Sequence, residues 1–287
     1  VYCQLGRTTN KTLERKEYVL VSEVVQELER KLASGDIPDY IALGGSGEPT
    51  LNSGIGDLIQ KVKDLTDIPV AVLTNGSLLW MRDVQDALMG ADVVLPSVDA
   101  GDENLFRYVN RPHKDISFER MVDGTAAFTR RFPGEVWLEV LLLGGVTGIR
   151  AEVEKIAAAI SRIVPVRVQL NTVSRPPAET FAFPLSPNQM FALKNFFPGR
   201  VEIINEIALH GVRLSARSRA GDADILALLS RRPCTFQDVA NGLSIHVTEA
   251  LKRLEVLIAA GKASTVVTDG RSYYTATGPE DASGSSR

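Results

Sequence analysis

Residues 40–51 read YIALGGSGEPTL: an apolar run Tyr40, Ile41, Ala42, Leu43, then Gly44, Gly45, Ser46, Gly47, then Glu48, Pro49, Thr50, Leu51. A short apolar run closed by glycine predicts a buried strand, and glycines after it predict a loop whose backbone can approach a ligand closely. Glu48 adds a carboxylate able to accept from an ammonium donor. The same succession recurs downstream. Runs at 70–73 (VAVL), 93–96 (VVLP), 137–143 (WLEVLLL) and 166–170 (VRVQL) alternate with amphipathic stretches at 55–65, 82–89, 118–130 and 151–163. That is the pattern of a parallel sheet covered by helices. Ligands of such α/β sheets bind at the carboxyl ends of the strands. The segments after the strands therefore carry the functional reading: Gly47, Glu48 and Pro49, then Thr74 and Asn75 in TNGS, then Ser97 and Asp99 in SVD.

Upstream, Ser22 followed by Glu23, Val24, Val25, Leu28 and Leu32 predicts a capped helix ending at Gly35. A helix there calls for an earlier parallel strand, and residues 1–9 are too polar and glycine-interrupted to supply it. The expectation is a sheet whose first strand lies upstream of Val1, with five strands visible and six in all. Beyond 170, Pro176, Pro177, Pro184 and Pro187 mark an irregular connector, followed by a helix at 188–197 and a short strand at 201–205. Residues 206–221 read as a linker, ending in the polar and basic SARSRAG. Residues 222–277 have their own order: helices at 225–229, 235–241 and 244–260, then β runs at 263–268 and 272–276 flanking Asp269-Gly270, a strong hairpin signal. Helix, helix-turn-helix and hairpin make a winged helix. Residues 278–287 (GPEDASGSSR) read as a disordered tail.

Across 287 residues, 32 basic and 35 acidic side chains give a net charge of −3, which argues against a generally basic nucleic-acid coat or a polybasic membrane anchor. The mean hydropathy of +0.01 is ordinary for a globular chain. The longest apolar stretch, 136–146, is interrupted by Glu139 and two glycines and falls short of the roughly 20 residues a membrane span needs. After Val1 no charged segment leads into an apolar one, so nothing in these residues looks like a signal peptide. Two cysteines, Cys3 and Cys234, make no disulfide framework. The expectation is a soluble cytoplasmic protein with no membrane partner. Cys234, after Pro233, reads as a packed thiol, and His210 and His246 stand apart from any ligand pattern.

Taken together, the YCQ segment around Cys3, GSGEPTL, TNGS, SVDAGDENLFRYVNRPH and QLNTVSRPP, in this order over residues 1–177, resemble the radical S-adenosylmethionine (radical SAM) superfamily. The resemblance is nearest to its Fe-S oxidoreductase branch, related to wybutosine-type tRNA-modifying enzymes. It implies a partial (β/α)6 barrel and two cofactors, a 4Fe-4S cluster and S-adenosylmethionine (SAM). The family's Cys-x3-Cys-x2-Cys signature supplies three thiolates. Cys3 matches the third, which places two further cysteines upstream of Val1. The implied chemistry is one-electron cleavage of SAM to a 5′-deoxyadenosyl radical that takes hydrogen from a substrate, with the protein orienting and shielding it. On the same basis Gly47, Glu48 and Pro49 face the SAM amino group, and Thr74, Asn75, Ser97 and Asp99 its methionine or ribose. Leu143, Gly144, Asn171 and Val173 correspond to positions lining the adenine. Asn110, Arg111 and His113 either face substrate, anchor the SAM carboxylate, or form an ordinary loop fixed by Pro112. The implied partners are a one-electron reductant such as ferredoxin or flavodoxin and a substrate that is a tRNA, a peptide or protein, or a small molecule.

Residues 221–278 carry six basic and six acidic side chains, so the winged helix lacks the basic face that phosphate-binding modules show. It can bind protein or peptide, cover the barrel mouth, or bind nucleic acid. Two other readings stand beside the enzyme: a ligand- or redox-sensing transcriptional regulator that uses the winged helix, and a plain α/β binding domain. The second explains the strands but not the co-occurrence of the motifs.

Overall fold

A computed structural model describes residues 1–33, 35, 37–204, 221–243, 245–268 and 270–277. Most of the expected linker, the expected tail, His210, Ser244 and Asp269 lie outside the described residues. The chain divides into two compact units. The first holds Val1, Thr8–Thr172 and Phe183–Ile204; the second holds Tyr2–Arg7, Val173–Ala182 and the described residues from 221 onward.

The first unit is an α/β fold built on a six-stranded sheet: β1 (Ile41–Leu43), β2 (Val70–Thr74), β3 (Val93–Pro96), β4 (Glu135–Leu142), β5 (Arg167–Thr172) and β6 (Val201–Ile203). Neighbours in sequence are neighbours in space, and every pairing is parallel. The short strand expected at 201–205 is β6, paired to β5. The strands are joined by α1 (Val21–Leu32), α2 (Ile55–Leu65), α3 (Arg82–Leu88), α4 (Glu103–Val109), α5 (Phe118–Arg131), α6 (Arg150–Ile163) and α7 (Pro187–Lys194). Two helix starts differ from expectation. Leu20, not Ser22, stands at the α1 N-cap, and no side chain caps it, because Ser22 already lies in the first turn. In a stretch for which no element was expected, Asp102 accepts from the Leu105 N–H at 2.9 Å and starts α4.

Strand β4 shows how the sheet sorts its side chains. Val136, Leu138, Val140 and Leu142 are buried, and the last three pack with Met121 and Val122 of α5 and Ile156 and Ile160 of α6. The alternate residues Trp137, Glu139 and Leu141 point to the opposite face, as the period of two requires. That face has its own small cluster, Ala71, Val93 and Leu95 with Trp137 against it, and no helical residue joins it. Arg167 stacks its guanidinium 4.1 Å from the Trp137 ring, and Tyr40 meets the same ring edge-on at 5.8 Å. On the helical side, Gly124 of α5 sits so close to the chain after β2 that a Cβ there would lie 2.5 Å from the Trp80 nitrogen. No described helix is long and apolar enough to cross a membrane.

In the second unit, α8 (Asp222–Arg231), α9 (Phe236–Gly242) and α10 (Val247–Ala259) precede an antiparallel hairpin of β7 (Ala263–Thr268) and β8 (Arg271–Ala276). Ile225, Leu229, Val239, Ala240, Leu254 and Leu257 form its core together with the fully buried Cys234. Cys234 also exchanges backbone hydrogen bonds with Tyr274 at 3.0 and 2.7 Å. His246 caps α10, its Nδ1 accepting from the Thr248 N–H at 3.2 Å.

Candidate functional site

The carboxyl ends of β1 to β5 form a hydrogen-bonded rim within the first unit. The backbone after β1 turns through the glycines, and nothing lies within 4 Å of where a Cβ on Gly47 would stand, so this edge is open. Glu48 then folds back into the sheet. Its Oε1 accepts from the Thr50 N–H at 3.1 Å, the Thr50 hydroxyl at 2.6 Å and the Thr74 hydroxyl at 2.6 Å. Its Oε2 accepts from the Asn75 N–H at 2.7 Å. Pro49 opens the short 3-10 turn that Glu48 caps. The carboxylate thus ties the β1 loop to the end of β2. Oε1 is saturated, whereas Oε2, with one donor among the described residues, retains acceptor capacity for an ammonium group.

The tie continues across the sheet. The Ser97 N–H donates to the Thr74 carbonyl at 3.1 Å, and the Val98 N–H to the Glu139 carbonyl at 2.9 Å. Asp99 is 2% exposed; its Oδ1 accepts from the Leu141 N–H at 2.9 Å and its Oδ2 from the Asn110 side-chain amide at 2.8 Å. Asn110 stands at the C-terminus of α4, and its Oδ1 is buried with no hydrogen-bond partner among the described residues. An unpaired buried acceptor is costly, so a ligand that brings a donor to this point is favoured. Asn171 of β5 donates to Glu139 Oε1 at 3.3 Å. Glu139 itself lies one step along β4 from this rim, in register with Gln169 and bridged to Ser97. Burial, aided by the charge of Asp99 and opposed by the Asn171 amide, raises its carboxyl above the usual range.

The structure therefore brings Glu48, Thr74, Asn75, Ser97, Asp99, Asn110 and Asn171 into one rim and adds Glu139, whose sequence signal was the charge interrupting an apolar strand. It gives other expected residues local duties. Leu143 is fully buried; its N–H donates to the Thr147 hydroxyl at 2.8 Å, and its carbonyl accepts from the Val146 and Gly148 N–H groups. Its backbone is thus used in holding the turn after β4, and its side chain is packed in the core. The Gly144 N–H is likewise taken, by the Phe183 carbonyl at 2.8 Å. Arg111 adopts a left-handed backbone, φ 50°, at the turn before Pro112. His113 Nδ1 accepts from the Asp115 N–H at 3.3 Å, closing the same loop.

Cys3 and Val173 belong to the second unit. Cys3 is exposed in a turn closed by the Gly6 N–H donating to its carbonyl at 3.2 Å, with Gly6 at φ 85°. Val173 is buried. Among the described residues no group of three or more His, Cys, Asp or Glu side chains comes together as a metal site. The rim fits the polar end of SAM, while for a cluster the described residues offer a single exposed thiol.

Residues 1–168 match the model of the radical SAM superfamily, and the chain belongs to that superfamily. Its members use a 4Fe-4S cluster and S-adenosylmethionine. The chain is 31% identical over 281 residues to a UPF0026 protein of Methanocaldococcus jannaschii, covering 96% of this chain and 86% of that one. It is 35% identical over 277 residues to a Brachyspira hyodysenteriae protein named GTPase Obg, where it covers 96% of its own length but 40% of the relative. Among solved structures, a radical SAM methyltransferase from Sphaerobacter thermophilus aligns at 19% identity over 64% of this chain and 56% of that one, with a TM-score of 0.49.

Proposed function

We propose that the protein is a radical SAM enzyme whose rim at the ends of β1 to β5 holds S-adenosylmethionine. One observation carries the reading: in a chain of this superfamily, the Glu48 carboxylate and the Asp99–Asn110 pair lie on one hydrogen-bonded rim, where Glu48 Oε2 has one donor and Asn110 Oδ1 none among the described residues. Glu48 Oε2 takes the ammonium of the methionine part, beside the open backbone at Gly47 and Pro49. Thr74 and Asn75 hold that carboxylate in place, and Ser97, Asp99 and Asn110 receive the hydroxyl donors of the ribose. Asn171 lines the adenine side, while Arg111 and His113 shape the loop where substrate or the SAM carboxylate sits. Cys3 contributes one thiolate to the cluster. When bound, cluster and SAM together supply one-electron cleavage of the sulfonium and hydrogen abstraction from the substrate.

The same proposal assigns the protein to the Fe-S oxidoreductase branch related to wybutosine-type tRNA-modifying enzymes, with a ferredoxin- or flavodoxin-like reductant and a tRNA, peptide or small-molecule substrate. It divides the chain into a barrel at 1–205, a linker at 206–221, a winged helix at 222–277 and a tail beyond. The three helices and hairpin of the second unit support the winged-helix reading.

SAM affinity, measured by equilibrium dialysis on protein expressed from its complete reading frame, tests the rim. Ser97→Ala and Asn110→Ala are each expected to weaken binding by about ten-fold, the size of one hydrogen bond in a desolvated site. Unchanged affinity in both variants, with melting temperatures near that of the parent, would remove the rim from the site.

A further inference from the structure

Residues 2–7, which carry Cys3, cluster with the second unit and not with the sheet. Within that unit the loop is held by named contacts. Arg7 donates from Nε to Glu179 Oε1 at 2.8 Å and from Nη2 to Glu179 Oε2 at 3.1 Å, a two-point fork on a carboxylate whose residue is 9% exposed. Arg175 donates from Nη1 to Gln4 Oε1 at 3.3 Å. One residue earlier, the Ser174 carbonyl accepts from the hydroxyl of Tyr273, a buried residue of β8. Tyr273 is 3% exposed and lies on the face of β8 opposite Tyr274 and Ala276, which pack against the helices. Segment 173–182 thus lies between the hairpin and the cysteine loop and holds each by side-chain hydrogen bonds.

We infer that Glu179 and Tyr273 are positioning residues for the Cys3 loop, and that the C-terminal helix-and-hairpin unit is the holder that fixes this loop through segment 173–182. The inference deepens the reading that Cys3 is a cluster ligand and rests on it for its chemical meaning. A cluster thiolate must be presented at a defined place, and among the described residues the Cys3–Gly6 turn is closed by one backbone hydrogen bond. The fork to Glu179 and the Gln4–Arg175 contact add further order. It follows that whatever engages the hairpin reaches the cysteine loop by way of Tyr273 and Ser174.

Hydrogen exchange read by mass spectrometry tests the holder on the chain itself. In Glu179→Ala, exchange in the peptide covering residues 1–10 is expected to rise about four-fold, the size of one exposed ion pair, while peptides from α5 are unchanged. Tyr273→Phe, which keeps the ring, is expected to raise exchange in the same peptide, and the swap Arg7→Glu with Glu179→Arg to restore protection. Unchanged exchange at 1–10 in both single variants would overturn the holder. A second measurement separates the two readings: iron bound after reconstitution of protein from the complete reading frame. A rise in exchange with undiminished iron in Glu179→Ala would overturn the positioning role toward the cluster while leaving the mechanical tie standing.

Discussion

Replacing Glu48 by alanine is expected to destabilise the sheet unit as well as to impair ligand binding. The side chain accepts four hydrogen bonds between 2.6 and 3.1 Å, two of them from the hydroxyls of Thr50 and Thr74, which are 0% and 4% exposed. Removing it strands these donors. A buried polar group left unpaired costs about 1–3 kcal/mol, and the four bonds are not additive because they share one acceptor. The hydroxyls can rotate to other acceptors and the Asn75 N–H can reach water, so the expected loss is about 3 kcal/mol for Glu48→Ala. Glu48→Gln keeps an oxygen for the Oε1 donors but turns an amide N–H toward the Asn75 N–H, and about half that loss is expected. For a unit of this size, about 3 kcal/mol corresponds to a fall in Tm of roughly 6–12 °C. Both tryptophans, Trp80 and Trp137, lie in the sheet unit, so urea unfolding followed by their fluorescence reports that unit alone. A loss below about 1 kcal/mol in Glu48→Ala would refute the brace. The argument also bears on ligand binding, since lost SAM affinity in Glu48→Ala combines a missing acceptor with a loosened rim. Thr50→Val, which loosens the same brace but spares Oε2, separates the two.

Other outcomes follow from particular contacts. Glu139 holds its proton above the usual carboxyl range, so the folded state binds more protons than the unfolded one in that interval. Stability is then full below the unfolded pKa and falls as pH rises through the folded one. Glu139→Gln should melt near the parent at acid pH and above it at neutral pH. Equal melting temperatures at both would show that the carboxyl is not held neutral. Iodoacetamide should modify exposed Cys3 at least about a hundred-fold faster than Cys234, whose burial also pushes its thiol up. Comparable rates at native pH, read by peptide mass, would contradict the second unit's core. Gly124→Ala should cost about 2–3 kcal/mol because its Cβ would meet backbone of Trp80, and a neutral result would contradict that close approach.

The sheet was legible because its strands are apolar on both faces and its helices amphipathic, and each expected strand has a counterpart within two residues of its place. One feature misled. The α1 start was read from Ser22 as a cap, but the backbone enters the helix two residues earlier at an uncapped Leu20. The strand expected at 201–205 is the shorter β6, Val201–Ile203, which follows a proline-rich connector where apolar periodicity gives little signal. At the site, Gly47, Glu48, Thr74 and Asp99 announced themselves by following strands. Glu139 did not, since a carboxylate inside an apolar run reads as an interruption until the pleat shows that it faces away from the helices. Leu143, matched by resemblance to an adenine-lining position, gives its backbone to the turn with Thr147 and its side chain to the core. The pairing of Arg7 with Glu179 spans 172 residues, beyond any local pattern.

The central claim is that this is a radical SAM enzyme, and the cleavage of its cofactor tests it most directly. Protein from the complete reading frame, purified without oxygen, reconstituted with iron and sulfide, and given SAM and dithionite, should yield 5′-deoxyadenosine by mass spectrometry, with the product lost in Cys3→Ala. No 5′-deoxyadenosine from a preparation whose iron analysis shows no cluster, or undiminished product in Cys3→Ala, would contradict it.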